Sequence, residues 1–452
     1  MRPADAFLDT IAALATPAGR SALAVVRLSG RESTRILGAL ATETAPSIEP
    51  RRPRRVVVSE NGAPIDEAVV TFLPAASSPT GEDVVEISLH GSPMAVERLL
   101  AAAISAGARP ARPGEFTERA FRAGRIDLVR AEAVRELIEA RTPAAARASA
   151  RRLSGALSRR IETVREHLLA ASAALAAVID FSDDVGDDAD APVRMHLTEA
   201  LVELERLAAT ARPGRLLAHG CRAAILGPPN AGKSTLFNAA LGRDRAIVTE
   251  IAGTTRDTLE AELDLGGVPV TLVDTAGLRA TDDVVETLGV ERAREEARRA
   301  DVVVYVFEAS TGLGAGDTET LAMAPDSAKV LVANKADRLS SAPPPIPEGA
   351  TLLCGIAPDA GTALRTLIRQ AVAAGVTTDG SSEMLGSLRQ ADLVERARRA
   401  VCDAMAALDR SVSPEYVATH CHAALDALAD LIGETTSEDV LERLFATFCI
   451  GK

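Results

Sequence analysis

At 452 residues the chain is too long for one ordinary domain, and roughly 150 residues per domain gives a prior of about three. An apolar share of 47% with 25% charged residues supplies enough hydrophobic surface for real cores and excludes wholesale disorder. The net charge of -13 argues against indiscriminate nucleic-acid binding, yet residues 1–160 carry 23 Arg against 18 Asp and Glu, so the N-terminal third is the part able to face a polyanion.

The longest uncharged apolar run, Leu168 to Ile179, falls short of the ~18 residues a membrane-spanning helix needs, and Asp5 and Asp9 spoil a signal-peptide reading. A soluble, cytoplasmic protein is expected. Cys221, Cys354, Cys402, Cys421 and Cys449 are scattered, with no CxxC pair, which fits reduced thiols rather than a disulfide framework or a zinc finger. Only four lysines occur, Lys233, Lys329, Lys335 and Lys452, so each stands against a strong bias toward Arg.

Residues 1 to about 118 show short apolar runs at Ala22 to Leu28, Arg55 to Ser59, Ala68 to Leu73 and Val84 to Leu89, punctuated by Pro and Gly, as in a compact α+β domain. From about Glu118 to Arg212 the pattern becomes helical, with Leu137, Ile138 and later Ile161, Val164 and Leu168 at helical spacing. The acidic stretch Asp183 to Asp190 is expected to form a solvated loop between helices. At Arg222 the periodicity switches. Ala223 to Leu226, Val270 to Val273, Val302 to Phe307 and Val330 to Ala333 are near-continuous apolar runs alternating with helical patterns, the mark of a parallel sheet. Beyond about Gly380 helical composition returns through Leu444, so an α/β domain (216–378) is expected to be inserted into a helical one (119–215 and 379–452) that follows the N-terminal domain (1–118).

Gly227-Pro228-Pro229-Asn230-Ala231-Gly232-Lys233-Ser234-Thr235 fits the GxxxxGK[ST] phosphate loop, and it lies where the mechanism requires, after an apolar strand and before a helix. Its glycines let backbone N–H groups surround phosphates, Lys233 neutralises β and γ oxygens, and Ser234 offers a hydroxyl to Mg²⁺. Asp274-Thr275-Ala276-Gly277 follows the second strand, where a carboxylate can hold Mg²⁺ through water and Gly277 can donate to the γ-phosphate. Asn334-Lys335-Ala336-Asp337 reads guanine: Asp337 accepts from N1–H and the 2-amino group, whereas adenine would leave it unpaired. The nucleotide expected is therefore GTP. Thr254 and Thr255, in Ile251-Ala252-Gly253-Thr254-Thr255-Arg256-Asp257, lie where a switch threonine ligates Mg²⁺ when the γ-phosphate is present.

Leu278 follows this Asp-Thr-Ala-Gly motif, so the water-positioning glutamine of Ras-like switches is missing from its usual place. Glu286, nine residues after Gly277, is the preferred substitute on the residues alone, although an ordinary acidic helix residue beside Asp282 and Asp283 would read the same way. The amide oxygen of Asn230 is placed to join switch carbonyls around a monovalent cation, which could replace an arginine finger.

With these motifs assembled, the chain resembles the tRNA modification GTPase MnmE (TrmE) family over nearly its full length. The resemblance rests also on Asp9-Thr10-Ile11-Ala12-Ala13, Arg27-Leu28-Ser29-Gly30, Thr80-Gly81-Glu82-Asp83-Val84-Val85-Glu86 with His90-Gly91, Ala111-Arg112-Pro113-Gly114-Glu115-Phe116-Thr117-Glu118-Arg119, and the terminal Phe448-Cys449-Ile450-Gly451-Lys452. It implies an α+β N-terminal folate-binding domain that dimerises, a discontinuous helical domain and an inserted Ras-like G domain. It further implies K⁺-stimulated GTP hydrolysis when two G domains meet. Family members act with a flavin-containing partner, MnmG, in a heterotetramer. They install an aminomethyl or carboxymethylaminomethyl group at C5 of the wobble uridine of certain tRNAs, with 5-formyltetrahydrofolate or a related tetrahydrofolate as one-carbon donor.

By the same resemblance, Asn230, Thr249, Ile251 and Thr254 match the K⁺ ligands and Ser234 and Thr255 the Mg²⁺ ligands, while Glu286 matches the water-orienting glutamate. The GTP contacts would include Glu250 and the residues of the motifs above, and the folate contacts would be Arg27, Glu86, Arg125 and Lys452. Cys449 resembles a tail cysteine once considered a nucleophile; a structural or merely nearby thiol is the other reading. Arg125 stands where Lys is usual, Pro79 replaces an aromatic, Ser92 replaces a second glycine, and Cys354-Gly355 stands in the base-contacting Ser-Ala loop. The rival class is a regulatory or ribosome-assembly GTPase switch, which would lack the folate-like block and the terminal tail. His420-Cys421-His422 diverge on a helix and make no metal cluster, and Arg51, Arg52, Arg54 and Arg55 are either tRNA contacts or a solvated basic edge.

Overall fold

The computed structural model describes residues 9–41, 49–180, 190–242, 259–275, 295–322, 324, 327–339, 346–372 and 383–452. The chain divides into two compact units, Met1–Arg135 with Leu153–Ala200 and Arg396–Lys452, and Glu136–Arg152 with Leu201–Glu395.

The first unit holds a six-stranded sheet of β1 (Ile11–Leu14), β2 (Ser21–Ser29), β3 (Arg54–Glu60), β4 (Ala63–Leu73), β5 (Val84–Gly91) and β6 (Arg109–Pro110), in the order β3-β4-β5-β2-β1-β6. All neighbours are antiparallel except β1 and β6. The four apolar runs of the N-terminal sequence fall in β2, β3, β4 and β5. Their alternate residues Val26, Leu28, Val58, Val70 and Ile87 pack with Ile36 and Leu40 of α1 (Ser33–Leu40) and Leu99 and Ala103 of α2 (Pro93–Ser105). The opposite face of β1 buries Ile11 and Ala13 against Phe116 of α3 (Glu115–Arg122), so the period-2 alternation of a strand feeds two cores.

After α4 (Leu128–Glu139) and α5 (Pro143–Leu153) comes the long α6 (Ala156–Asp180), followed by α7 (Asp190–Ala209) and α8 (Ala211–His219). Helix α6 buries Leu157, Ile161, Val164, Leu168, Ala171 and Leu175, and this alternating step of four and three residues lays one stripe along the helix. The acidic stretch between α6 and α7 lies outside the described residues except Asp190, which the sequence reading put in a loop and which instead opens α7.

The second unit contains β7 (Cys221–Leu226), α9 (Lys233–Leu241), β8 (Leu259–Leu265), β9 (Val268–Asp274), β10 (Val302–Glu308), α10 (Ala315–Ala322), β11 (Ala328–Asn334), β12 (Thr351–Leu352) and α11 (Ala360–Val372). The sheet order is β12-β11-β10-β7-β9-β8, and every neighbouring pair is parallel except β8 with β9. The run of β10 is apolar throughout because both faces are covered: Val302, Val304 and Val306 enter one core, Val303, Tyr305 and Phe307 the other. The four apolar runs of this region form the mutually parallel β7, β9, β10 and β11, and β8, which the sequence pattern does not announce, adds an antiparallel edge. Ala261, Leu263 and Leu265 alternate with Glu262 and Asp264, and Gly266-Gly267 closes the hairpin with positive φ at both residues.

The chain continues through α12 (Leu388–Asp409), α13 (Pro414–Ile432) and α14 (Glu438–Phe445). In the first unit the stripe of α6 meets a matching one on α13, Val417, Cys421, Ala424, Leu428 and Leu431. Among the described residues no helix is long and apolar enough to cross a membrane.

Candidate functional site

The parallel strands of the second unit bring three sequence motifs to one edge of the sheet, their C-terminal ends. The loop 227–232 leaves β7, Asp274 ends β9, and Asn334 ends β11; Ile225 pairs with Asp274, and Glu308 with Asn334. Gly227 (φ 140°) crosses so close to β10 that a Cβ would stand 1.9 Å from the Val306 carbonyl oxygen, and Gly232 (φ 92°) leaves no room for a Cβ beside the Asn334 amide. Asn230 itself takes the left-handed conformation at φ 63°, which Asn tolerates better than most residues. At Gly227 and Gly232 the lack of a side chain is what lets the loop pass this close to β10 and to Asn334.

Lys233 opens α9 and is 8% exposed; its Nζ donates to the carbonyl oxygens of Gly227 and Pro228, each at 2.8 Å. Burial pushes its ammonium down and the carboxylate of Asp274, itself wholly buried, works against that shift. An anion entering the loop would meet a desolvated cation whose hydrogen-bond partners among the described residues are two carbonyl oxygens. Ser234 and Thr235 are exposed on the first turn of α9, and Thr275 donates to the Ile225 carbonyl oxygen at 2.8 Å. The carboxylate of Asp274 and the hydroxyl of Ser234 are hard oxygen donors of the kind Mg²⁺ takes together with phosphate and water.

Asn334 is buried and braces the site: its Nδ2 donates to the Ala231 carbonyl oxygen at 2.8 Å and its Oδ1 accepts from the Gly355 N–H at 2.9 Å. Lys335, at φ 60°, ion-pairs with Glu308 at 2.7 Å and holds that carboxyl below its ordinary range. The thiol of Cys354 donates to Oδ1 of Asp337 at 3.3 Å. Ala231, Gly232, Lys233, Asp274, Asn334 and Asp337 thus belong to one connected site. Thr249, Glu250, Ile251, Ala252, Gly253, Thr254, Thr255, Ala276, Gly277 and Glu286 lie outside the described residues.

The first unit places the other set. Arg27 on β2 and Glu86 on β5 are cross-strand partners, joined from Nη2 to Oε1 at 2.6 Å and from Nε at 3.0 Å, and the guanidinium lies over the Phe116 ring at 5.6 Å. The terminal residues close beside them: the Phe116 N–H donates to the Lys452 carbonyl oxygen at 3.2 Å, and Gly114 N–H to that of Cys449 at 3.3 Å. Gly451 (φ 93°) passes where a Cβ would be 2.2 Å from the Leu14 carbonyl oxygen. Arg125 instead donates to the Ala75 carbonyl oxygen. The Arg27–Glu86 pair sets a half-buried carboxylate beside a guanidinium that lies over an aromatic ring.

Two matches span almost the whole chain. Residues 10–125 match the family described as GTP-binding protein TrmE N-terminus, and residues 128–449 match the MnmE helical domain. The tRNA modification GTPase MnmE of Roseiflexus sp. (strain RS-1) is 40% identical over 98% of this chain and 99% of its own length. That of Symbiobacterium thermophilum is 41% identical over 98% and 99%, and that of Aquifex aeolicus (strain VF5) 38% over 98% and 100%. The chain belongs to the MnmE/TrmE family of tRNA modification GTPases.

Several residues that carried the MnmE/TrmE resemblance have a structural task. Arg119 is 1% exposed and bonds Asp9 at 2.7 Å, Glu82 at 3.0 Å and Glu115 at 3.0 Å, while Ser29 bonds Thr80 and Glu82 at 2.8 Å. This network fixes β1, α3 and the segment before β5 behind the Arg27–Glu86 pair. Ser92 sits at φ -89°, open to any residue, so the missing family glycine carries no backbone cost there. Of the basic cluster, Arg51 bonds Ser77, and Arg52 and Arg55 pair with Glu49 and Glu67. In α13 Cys421 is buried, its thiol pushed up to about 11, while His420 stacks edge-on against Tyr416 and His422 faces out. Cys449 is exposed. Sequence reasoning missed one cluster altogether, His167, His196 and Glu199; its only signal was the three-residue step from His196 to Glu199.

Proposed function

We propose that the chain binds GTP at the loop 227–235, reads guanine with Asp337, and hydrolyses GTP as part of installing an aminomethyl or carboxymethylaminomethyl group at C5 of the wobble uridine of certain tRNAs. The reading is supported above all by relatedness along nearly the whole chain, with a tRNA modification GTPase 40% identical over 98% of it and family matches over residues 10–125 and 128–449.

In this reading Lys233 turns from the loop carbonyls to the β and γ oxygens, Ser234 and Thr255 hold Mg²⁺ with Asp274 behind water, and Asn230, Thr249, Ile251 and Thr254 surround K⁺ when the G domains of a homodimer meet. Mg²⁺ and K⁺ offset charge developing on the transferred phosphoryl oxygens. Glu286 orients the attacking water. The G domain spans 216–378 and is inserted between the helical segments 119–215 and 379–452. The domain 1–118 dimerises and binds 5-formyltetrahydrofolate or a related tetrahydrofolate through Arg27, Glu86, Arg125 and Lys452. An MnmG-type flavoprotein carrying FAD completes a heterotetramer in the cytoplasm.

Mass analysis of tRNA nucleosides from cells lacking the chain tests the function: loss of the C5-substituted wobble uridine is expected, and an unchanged nucleoside profile would refute it. For the site, turnover should rise when K⁺ replaces Na⁺ at equal ionic strength, and Glu286→Ala should slow hydrolysis by about 10² or more. Equal rates in both comparisons would remove these assignments.

A further inference from the structure

The first unit holds a side-chain cluster that the GTP and folate readings leave unused. His167 lies on α6, and His196 and Glu199 lie three residues apart on α7, a spacing that sets two side chains on one helix face. His167 Nδ1 stands 2.9 Å from Glu199 Oε2, and His196 Nδ1 stands 3.8 Å from the same oxygen. One ligand atom from each residue can be chosen so that all lie within 4.8 Å of one another. The two rings are tilted at 39° with centroids 5.8 Å apart.

We propose that His167, His196 and Glu199 bind a divalent transition-metal ion, with Zn²⁺ the best match, and so clip α6 to α7. Two imidazole nitrogens and a carboxylate oxygen are the ligands of a borderline ion rather than of Mg²⁺ or Ca²⁺, which prefer all-oxygen shells. Bonds of about 2.0–2.2 Å in a tetrahedron set ligand atoms about 3.3–3.5 Å apart. The two spacings to Glu199 Oε2, 2.9 and 3.8 Å, straddle that distance, and all three ligand atoms lie within 4.8 Å of one another.

A second observation points the same way. His196 Nδ1 is shielded from solvent, yet among the described residues it has no hydrogen-bond partner. An unmet buried polar atom is costly, and here it belongs to a residue whose ligand atoms lie within 4.8 Å of those of His167 and Glu199. The backbone on either side is fixed by packing. Val164, Leu168 and Ala171 flank His167 in the core, and Val193, Leu197 and Ala200 do the same for the α7 ligands. Three protein ligands leave one position for water.

The test uses the full chain with its nucleotide site filled by GDP and Mg²⁺. Zn²⁺ is titrated by calorimetry, and Co²⁺ is followed by the visible absorption of a four- or five-coordinate ion. One ion per chain is expected, with a Zn²⁺-dependent rise in melting temperature. His167→Gln, His196→Gln and Glu199→Gln should each weaken binding by about 10–100-fold or more and abolish that rise. Should His167→Gln disturb folding because it breaks the bond to Glu199, His196→Gln carries the test, since its Nδ1 has no hydrogen bond to lose. Zn²⁺ uptake and stabilisation equal in wild type and His196→Gln would overturn the site, as would an absence of uptake by the wild type in large Zn²⁺ excess.

Discussion

The side-chain amide of Asn334 donates to the carbonyl oxygen of Ala231 at 2.8 Å, so the strand that ends in the base-reading motif is tied directly to the phosphate loop. The same side chain accepts from Gly355. Asn334→Ala leaves a carbonyl and an N–H without partners in a buried place, at about 1–3 kcal/mol each. A loss of about tenfold or more in GDP affinity is expected by titration with a fluorescent nucleotide, together with a lower melting temperature. Unchanged affinity would mean the loop holds its shape without this brace.

The thiol of Cys354 reaches Oδ1 of Asp337 at 3.3 Å. A hydroxyl is the stronger donor to a carboxylate and forms the shorter bond. Cys354→Ser should tighten GDP binding by roughly 2–5-fold, corresponding to about 0.5–1 kcal/mol, and Cys354→Ala should weaken it. Equilibrium dialysis with labelled GDP separates the three proteins; identical constants would show that the thiol does not orient Asp337.

The N-terminal ion network gives the first unit an acid dependence. Burial pushes the Glu115 carboxyl up, but Arg109, the Arg112 N–H and Arg119 outweigh it and hold the group down at about 2. Its folded value lies below the unfolded one near 4.5, so the stabilisation is complete above that pH and is lost as pH falls toward 2. The size is on the order of 3 kcal/mol for this wholly buried group. Glu115→Gln should lower the melting temperature at neutral pH, and the gap to wild type should narrow between about pH 6 and pH 3. A gap independent of pH would contradict the network's role.

Much of this fold was readable because local pattern and tertiary setting agree. The Val302 to Phe307 run announces a strand covered on both faces, and the stripe around Ile161, Val164 and Leu168 finds its match on α13. The nucleotide motifs were readable because a phosphate loop needs consecutive residues. The partners of Arg119 were not, since Asp9 lies 110 residues away and Glu82 37, and no spacing rule links them. The edge strand β8 hid behind its acidic residues, Glu260, Glu262 and Asp264, which face outward on alternate positions. His167 and His196 met only through helix packing.

The Arg27–Glu86 pair makes the proposed folate contacts testable on their own. Glu86→Gln keeps the shape but removes the charge, and Arg27→Ala removes the cation above Phe116. Each should weaken 5-formyltetrahydrofolate binding by about tenfold or more, as expected for loss of a charge-assisted hydrogen bond worth roughly 1.5–3 kcal/mol. Calorimetry with the wild type and both variants measures it; equal affinities would move the folate elsewhere.

The most direct measurement is competition for the phosphate loop by guanine and adenine nucleotides, in wild type and in Asp337→Asn. Wild type should bind GDP at least about 10⁴-fold more tightly than ADP, because adenine leaves the Asp337 carboxylate unpaired, and should hydrolyse GTP but not ATP. Asp337→Asn should lose that preference and gain affinity for xanthine nucleotides, whose 2-oxo group accepts from the new amide. Equal affinity of the wild type for GDP and ADP, or none for either, would contradict the account.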